Sequence, residues 1–507
     1  MTHRFPRLLA AGGVALALLA LAACTPAEAD TSTLRVIRGE SFDGWNPDSA
    51  AAYATYQTLD NVLEPLLRSN PDGTTVDPGI ATAWEYDAAA HTWTFTLRDD
   101  AAFSDGSPLT SKDVAFSLDI WQDGPNFGSL YAGIEGVTTP DEHTVVFQMT
   151  GPETTLPILM TWTSAAIYPA DFGGRTAEEF FQKPIGAGAF SVESWSTGGE
   201  IVLAANEHYY EPVGVERVVI KTVTDANQGA ALIESGQADI SEYLAAADAG
   251  IYGDALVPLP PSQIEHLSFN TARTPLDDPA LRRAIAAAID YPNLIEGAFK
   301  GYGVEAQGIL PSTIGNWAAP AEAPIAFDLD AARAALDAVA DVPDTLEVVY
   351  DASNQTDNVV AQILKEDLAA IGIDLTLSPL ETGTFLDRAY GGDADLVLWS
   401  YGAISPDVVD PFGWILGTGW LYSGFDTTAL GEQFTAYAAA ETDAEKQAIA
   451  GHMQDAANRD VPAVALAEFQ VLYALSDRTE GFAATPWGMY RWASITLDGQ
   501  TEGGSAG

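Results

Sequence analysis

Cysteine and cationic side chains are scarce in this sequence. Its 507 residues include one cysteine, Cys24, so no disulfide can form within the chain. Lysine and arginine together number 22, against 71 aspartate and glutamate residues, and the formal net charge is −49 at pH 7. Binding to nucleic acid or to an anionic lipid surface needs basic patches, so this charge argues against both. The acidic residues are spread along the whole chain, which is typical of a solvated surface.

The common motifs of catalytic and metal sites are also missing. The six histidines form no His-Glu-x-x-His pair, and no Gly-x4-Gly-Lys-Ser/Thr loop is present, so ATP hydrolysis would belong to a partner. Gly503-x-Ser505-x-Gly507 formally fits a nucleophile elbow, but it lies in a polar tail with no strand pattern before it. We therefore expect no cofactor, no metal and no catalytic residue.

Long hydrophobic runs are absent except near the start of the sequence. His3, Arg4 and Arg7 precede an uncharged run of small and aliphatic residues at 10–23. At about 14 residues this run is too short for a ~30 Å hydrocarbon core, which needs roughly 20 apolar residues in a helix. It has the length of the apolar region of a secretory signal peptide.

Cys24 directly follows the small residues Ala22 and Ala23, an arrangement that resembles a bacterial lipobox. In such signals the cysteine is acylated and becomes the mature N-terminus. We therefore expect a lipoprotein signal peptide at 1–23, a flexible polar tether at 24–33, and an exported protein anchored by lipid to the outer face of the cytoplasmic membrane. The alternative is an ordinary signal peptide with an unrelated cysteine.

Strand and helix patterns alternate through the remainder. Polar and apolar residues alternate at Thr92–Leu97, which predicts a half-buried strand. Thr110 and Asp113 have the spacing of a capping box and predict the start of a helix. Helical spacing of apolar residues recurs at 358–371 and 442–459, and the apolar run at 464–474 predicts a buried strand. A chain of this length exceeds a single core, so the patterns indicate an α/β protein of two or three lobes.

Five stretches, in order, resemble signature segments of the solute-binding proteins of peptide-type ABC importers. This family includes oligopeptide-, dipeptide- and nickel-binding proteins, and the resemblance covers most of residues 34–495. The first stretch is a strand, a tight turn at Asp105-Gly106 and a capped helix, and its role is structural. The stretches are 97–118 (LRDDAAFSDGSPLTSKDVAFSL), 184–190 (PIGAGAF), 206–210 (NEHYY), 232–240 (LIESGQADI) and 267–311, which contains FNT at 269–271 and RRA at 282–284.

The resemblance implies a two-lobed periplasmic-binding-protein-like α/β fold whose ligand is enclosed between the lobes. Lobe I would comprise residues 34–268 with an inserted subdomain at about 56–165, and lobe II residues 269–482. Residues 483–500 would return to lobe I, and 501–507 would form a flexible tail. The two crossings between the lobes are expected near 264–270 and 481–486, with closure by a hinge motion.

The family also implies a function. The protein is expected to be a monomeric solute-binding lipoprotein that captures oligopeptides by closure of its lobes and delivers them to ABC permease subunits. Its other contacts would be with the membrane through the N-terminal lipid, and not with nucleic acid. The alternatives are the same role for oligosaccharides or another neutral solute, a lipoprotein that senses or adheres without transport, and a secreted hydrolase.

The family resemblance also suggests ligand contacts. Oligopeptide binders place an aspartate three residues after a tryptophan that matches Trp399, where it pairs with the peptide ammonium. Glycine, Gly402, stands at that position here, so Asp407 or Asp410 would serve the same charge from a longer loop, or the amine site is missing.

Aromatic side chains are the other candidates, as flat walls for ligand groups. The alternative for each of them is packing in the core. Together with the two aspartates, the predicted ligand-binding residues are Phe42, Trp45, Trp399, Tyr401, Asp407, Asp410, Trp420 and Trp487, and the predicted lipidation residue is Cys24.

Overall fold

A computed structural model describes residues 31–50, 52–402, 405–408 and 428–497 of the chain. Cys24, Asp410 and Trp420 lie outside these residues, so their predicted roles stay predictions. Within the described ranges, no helix combines the length and the apolar character that crossing a membrane requires.

An 11-stranded sheet runs through both halves of the molecule. Its strands, named in chain order, are β1 (Thr33–Arg38), β8 (Phe190–Trp195), β9 (Ile201–Ala205), β10 (Arg217–Thr222), β11 (Ile240–Glu242), β12 (Leu256–Phe269), β13 (Gly303–Val304), β14 (Thr345–Asp351), β15 (Asp374–Leu380), β16 (Leu396–Gly402) and β17 (Ala463–Leu475). Their spatial order is β15-β14-β16-β12-β17-β11-β1-β10-β9-β8, and β13 pairs with β17. The pairs β1–β10, β1–β11, β14–β15 and β14–β16 are parallel, as expected for an α/β sheet.

Smaller sheets and the helices cover this sheet. The remaining strands are β2 (Leu67–Ser69), β3 (Val76–Pro78), β4 (Ala81–Asp87), β5 (Thr92–Leu97), β6 (Ile134–Asp141), β7 (Thr144–Met149), β18 (Thr479–Glu480) and β19 (Thr496–Leu497). The α-helices are α1 (Tyr53–Asp60), α2 (Ser111–Asp123), α3 (Leu156–Leu159), α4 (Ala177–Gln182), α5 (Ala226–Glu234), α6 (Ala249–Tyr252), α7 (Pro279–Ala288), α8 (Tyr291–Phe299), α9 (Leu329–Leu336), α10 (Gln355–Ala369), α11 (Thr382–Gly391), α12 (Thr428–Ala439) and α13 (Asp443–Asp460). The strands β4, β5, β7 and β6 form a separate antiparallel sheet within residues 56–165.

Local sequence explains where several helices begin. The Asp113 carboxylate accepts hydrogen bonds from the amide (2.7 Å) and the hydroxyl (2.9 Å) of Thr110, so the predicted capping box is confirmed at the start of α2. Helix α7 has Asp278 as its N-cap and Pro279 in its first turn, where the missing proline amide costs no hydrogen bond. The strand predicted at Thr92–Leu97 is β5, with the same bounds.

Two long strands connect the halves of the molecule. β12 pairs with β16 of the second lobe and with β17, and the far end of β17 pairs with β11 of the first lobe. The first crossing therefore includes the predicted segment at 264–270. The second was predicted near 481–486, and this position is wrong, because β17 has already joined the first lobe at Leu475. The buried strand predicted at 464–474 is β17, whose 13 residues are long enough to belong to both lobes. The division into lobes and subdomain otherwise stays a prediction.

Separate apolar cores fill the two lobes. Leu34 and Val36 of β1, Phe95 of β5 and Phe190 of β8 belong to the first-lobe core. The second-lobe core joins β12, β14 and β16 to helices α7, α8 and α10, and Leu267 of β12 belongs to it. Separate cores let each lobe move as a rigid body, which is what a hinge-closing protein requires.

Candidate functional site

The two lobes touch each other away from the crossing strands. Thr154, which follows β7 in the first lobe, donates from its amide to Ala438 O (2.8 Å) and from its hydroxyl to Ala440 O (2.8 Å) at the end of α12. Gly315 of the second lobe lies close to the turn between β2 and β3 of the first lobe. A Cβ atom on Gly315 would be 2.9 Å from the Thr74 carbonyl oxygen. The lobes are therefore closed on each other.

A polar junction lies between the start of α1, the end of β16 and the crossing strand β12. The phenol of Tyr53 lies beside the Gly402 amide and the Gln263 side chain, and both of these groups lower its pKa. Burial raises the pKa of Tyr53, so this phenol remains a neutral hydrogen-bonding group at all ordinary pH values. The tyrosine belongs to the first lobe and the glycine to the second, so this junction exists only when the lobes are closed.

Gly402 is the position at which oligopeptide binders are expected to carry an aspartate. A Cβ at this position would collide with the side-chain amide of Gln263, which is itself 6% exposed. The space for a carboxylate at 402 is thus already filled by a neutral amide. We call the junction of Tyr53, Gln263 and Gly402 the interlobe groove.

Two carboxyl groups lie on the first-lobe side of the interlobe groove. The guanidinium of Arg38 is 3.6 Å from the Glu242 carboxylate, which also accepts a 2.6 Å hydrogen bond from the hydroxyl of Tyr490. Burial raises the pKa of Glu242, while Arg38 and Tyr490 lower it. Desolvation raises the pKa of Glu40, whereas Arg38 and the Ala54 amide lower it.

Aromatic rings next to these carboxyls complete the first-lobe wall. The rings of Tyr53 and Tyr243 are 6.2 Å apart, and those of Tyr243 and Tyr473 are 5.4 Å apart. Burial raises the pKa of all three phenols. No group of three or more histidine, cysteine, aspartate or glutamate side chains suited to a metal ion occurs in the part of the chain that the structure describes.

Phe42 and Trp45 form an aromatic cluster with Trp195 inside the first lobe. The centroid of the Trp45 ring is 4.8 Å from that of Phe42 and 6.0 Å from that of Trp195. Trp45 is 1% exposed. This placement favours the core alternative for Trp45, whereas Phe42 is half-buried, and its ligand contact stays a prediction.

The predicted second-lobe aromatics lie in or beside β16 and the chain that follows β17. Trp399 stacks on Phe385 with ring centroids 5.5 Å apart, and Tyr401 is buried. Trp487 packs in the same apolar cluster, which reaches from the second lobe to the returning chain. The three predicted aromatics therefore lie together at the closure between the lobes, although their contact with a ligand stays a prediction.

Asp407 is fully buried in the second lobe, with a relative exposure of 0%. Its carboxylate accepts a 2.7 Å hydrogen bond from the hydroxyl of Tyr437 on α12 and a 3.2 Å bond from the side-chain amide of Asn316. The two oxygens thus hold a helix and a loop of the same lobe together. A ligand ammonium at Asp407 would have to displace these donors, and its predicted role stays a prediction.

A cavity of about 630 Å³ opens beside Trp487, within the first lobe. Its lining comes mainly from α1 and the chain that follows it, and from the returning chain at 481–494. Its lining includes aromatic, charged and hydroxyl side chains, among them Tyr56, Asp60, Glu64, Arg68, Trp162, Thr163, Tyr209, Glu211, Trp487 and Arg491.

The family model described as "Bacterial extracellular solute-binding proteins, family 5 Middle" matches residues 75–423. The chain belongs to this family. It is 28% identical over 381 residues to the probable D,D-dipeptide-binding periplasmic protein of Escherichia coli, covering 72% of each chain. It is 24% identical over 533 residues to the dipeptide-binding protein of the same organism, covering 96% of this chain and 98% of the relative.

Solved structures show the same fold. The dipeptide-binding protein from Pseudoalteromonas in complex with Met-Leu superposes with a TM-score of 0.82 at 19% identity, over 92% of this chain and 100% of that one. The periplasmic binding protein DppA from Helicobacter pylori in complex with the peptide STSA gives a TM-score of 0.80 at 21% identity, over 92% and 98%. The two-lobed α/β fold of this solute-binding protein is confirmed, as is binding rather than catalysis as the role of its family.

Sequence reasoning missed most of the polar groups of this solute-binding protein's interlobe groove. Tyr53 and Gln263 belong to no motif, and more than 200 residues separate them. A partial signal exists for the cavity, because Tyr56 and Asp60, which both line it, lie four residues apart on one face of α1. Polar side chains on one face of a helix that packs inside the lobe indicate that this face borders a cavity.

Proposed function

We propose that this protein captures peptides outside the cytoplasmic membrane and delivers them to the permease of an ABC importer. The observation that carries this proposal is the family match over residues 75–423 in a chain whose lobes close on each other. Relatives along nearly the whole chain are named as dipeptide-binding and di/tripeptide-binding proteins. A peptide presents main-chain amides and carbonyls, and the interlobe groove supplies the phenol, the carboxamide and the backbone amide that would meet them.

Closure would couple binding to delivery. A ligand that contacts Tyr53 of the first lobe and Gly402 of the second stabilises the closed state by its differential affinity for that state. The closed state is the one in which Thr154 reaches the end of α12. The permease would then recognise the surface formed by two closed lobes, and ATP hydrolysis would belong to its own ATPase subunits.

The proposal includes anchoring by lipid at Cys24 after removal of residues 1–23. The sequence around this cysteine supports acylation, and a tether keeps a monomeric receptor at high local concentration beside its permease. Replacement Cys24→Ser in cells should move the protein from the membrane fraction to the soluble fraction, as measured by immunoblotting. Retention in the membrane by the serine variant would contradict lipid anchoring while leaving peptide binding intact.

Peptide binding is tested with the purified chain lacking residues 1–23. Isothermal titration with di- and tripeptides should give saturable binding, and the same titration with cello- and xylo-oligosaccharides should give none. Loss of peptide binding in Tyr53→Phe/Gln263→Ala, with unchanged melting temperature, would locate the site at the interlobe groove. Saturable binding of oligosaccharides without peptide binding would contradict the proposal.

One observation favours a neutral solute as the second candidate. The position of the expected amine-binding aspartate is Gly402, and the neutral side chain of Gln263 fills the space beside it. A site without a carboxylate at this point suits a ligand without an ammonium group there. Titration with free and N-acetylated peptides distinguishes the two candidates. A site that recognises the peptide ammonium should bind the free form more tightly, whereas a site for a neutral solute should show no such preference.

A further inference from the structure

The first-lobe cavity beside Trp487 has a charge composition that no assigned role explains. We infer that it receives the cationic side chain of a bound peptide, an ammonium or a guanidinium, with the Asp60 carboxylate as counter-ion. This inference rests on the proposed function and specifies the class of peptide. It assigns the recognition of positive charge to the first lobe instead of to the position of Gly402.

The charged groups of the cavity wall do not balance. Four carboxyl groups and two guanidinium groups line it: Asp60, Glu64, Asp77, Glu211, Arg68 and Arg491. Arg68 contacts Glu64 (2.6 Å) and Glu211 (3.0 Å), and Arg491 contacts Glu211 (3.1 Å). Both cations are therefore engaged by Glu64 and Glu211, and the wall has an excess of negative charge.

Asp60, the last residue of α1, is not among the carboxyl groups that pair with these two arginines. Within the described ranges, no cationic side chain lies within ion-pair distance of it, and its Oδ1 accepts a 2.5 Å hydrogen bond from the hydroxyl of Thr163. Burial and the nearby Glu64 raise the pKa of Asp60, whereas the Thr163 hydroxyl, Arg491 and Arg68 lower it, and the net pKa is about 7. A ligand cation would offset that desolvation and hold the carboxylate ionised at neutral pH.

The rest of the wall suits the body of such a side chain. Tyr56, Trp162, Trp487 and Tyr490 line the cavity, and aromatic faces attract ammonium and guanidinium groups. Trp162 is 5% exposed, and its indole N–H has no hydrogen-bond partner among the described residues. A buried donor without a partner is unfavourable, so the carbonyl of a bound peptide at this point would satisfy the indole N–H.

The cavity lies within reach of the interlobe groove. Asp60 follows Tyr53 by seven residues on α1, which corresponds to about 10 Å along the helix axis. An extended peptide covers about 3.3–3.6 Å per residue. A peptide whose main chain meets Tyr53 can therefore place the side chain of its second or third residue in the cavity. Trp487 connects the two regions, because it lines the cavity and packs in the cluster at the closure.

The test compares matched peptides on the chain lacking residues 1–23. Three tripeptides of alanine carry lysine at the first, second or third position, and three partners carry norleucine instead. Isothermal titration should show at least one position at which wild type binds the lysine peptide roughly tenfold more tightly. In Asp60→Asn this preference should fall to within about twofold, because the amide keeps the bond from Thr163 but carries no charge. The control Asp330→Asn removes the same charge from an exposed helix and should keep the preference.

The outcomes separate the two proposals. A lysine preference that persists unchanged in Asp60→Asn, with the variant's melting temperature at or above that of wild type, overturns the inference and leaves peptide capture standing. Equal binding of lysine and norleucine peptides at all three positions by wild type also overturns it. If wild type binds none of the six peptides, the proposed function fails, and the inference fails with it.

Discussion

The side-chain amide of Gln263 fills the space beside Gly402 that any side chain at position 402 would need. The two residues belong to neighbouring antiparallel strands, and they are register partners at the end of the β12–β16 ladder. The glycine is therefore matched to the glutamine. Because the two residues are in contact, the effects of substitutions at 263 and 402 on stability should not be additive, and the two positions should be varied together.

The pair Gln263 and Gly402 gives a first prediction. The single variant Gly402→Asp should melt at a lower temperature than wild type, since its carboxylate meets the Gln263 amide in a filled site. The double variant Gly402→Asp/Gln263→Ala should recover stability and bind peptides with a free N-terminus more tightly than their N-acetylated forms. Differential scanning calorimetry and isothermal titration measure the two effects. A double variant that still prefers neither peptide form would show that this position does not face the peptide ammonium.

Tyr53 gives a second prediction, on closure. Tyr53→Phe removes the hydroxyl that lies beside the Gly402 amide and the Gln263 side chain, and the loss of one polar contact of this kind costs about 1 kcal/mol. Peptide binding should weaken about fivefold, and small-angle scattering should show a larger fraction of open molecules. Tyr390→Phe, on α11 and exposed, is the matched control and should change neither quantity. Unchanged affinity in Tyr53→Phe would mean that the phenol takes no part in closure.

Asp407 gives a third prediction, on the stability of the second lobe. Asp407→Asn weakens the hydrogen bonds from Tyr437 and Asn316 to a buried group and should lower the free energy of unfolding by about 1–3 kcal/mol. Urea unfolding measures this loss. The substitution Asp407→Asn should change the binding of cationic and neutral peptides equally, because the Asp407 carboxylate is hydrogen-bonded within its own lobe. A selective loss of cationic peptides would instead support the ligand contact predicted from the sequence.

A fourth prediction concerns pH, from the buried carboxyls Glu265 of β12 and Asp357 of α10. Burial holds the pKa of Glu265 well above its usual range, and the nearby Asp357 raises it further. Burial and the nearby Asp351 raise the pKa of Asp357 in the same direction. Because both folded-state pKa values exceed those of the unfolded chain, the folded protein keeps protons that the unfolded chain releases. Stability should therefore fall as pH rises above the ordinary carboxyl range.

The measurement for this pair is the melting temperature between pH 4 and pH 9. Glu265→Gln should melt above wild type at pH 8 by several degrees and should lose this advantage near pH 4, where the carboxyl is protonated in both states. Glu366→Gln, an exposed residue of α10, should follow the wild-type pH dependence. Parallel curves for Glu265→Gln and wild type would show that Glu265 is not the titrating group.

Much of the fold was predictable, and the reason is local. The strand Thr92–Leu97 alternates its polarity, and the box of Thr110 and Asp113 fixes where α2 begins, so both follow from neighbours in the sequence. The second crossing was misplaced because the apolar run at 464–474 predicts a buried strand, which is β17, without indicating which lobes that strand joins. Pairing partners far apart in the chain decide that, and no local pattern records them.

The site was less predictable for the same reason. Gly402 was recognised as the position of a missing aspartate, but Gln263, which fills the space, lies on another strand and belongs to no motif. Asp407 had the right chemistry for an ammonium, and its two donors, Tyr437 and Asn316, were invisible without the packing of α12. The type of a residue indicates which ligand groups it could bind. Its exposure to solvent and its hydrogen-bond partners depend on the tertiary structure.

The crossing strand β12 contains three prolines, Pro258, Pro260 and Pro261, none of which can donate a backbone hydrogen bond to β17. The ladder shifts its register on both sides of Pro261. A ribbon with missing hydrogen bonds bends more easily there than along the stretch from His266 to Ser268, which pairs in regular register with both β17 and β16. The mechanical compliance of the connection is therefore concentrated near its first-lobe end, where rocking of one lobe against the other breaks the fewest main-chain bonds.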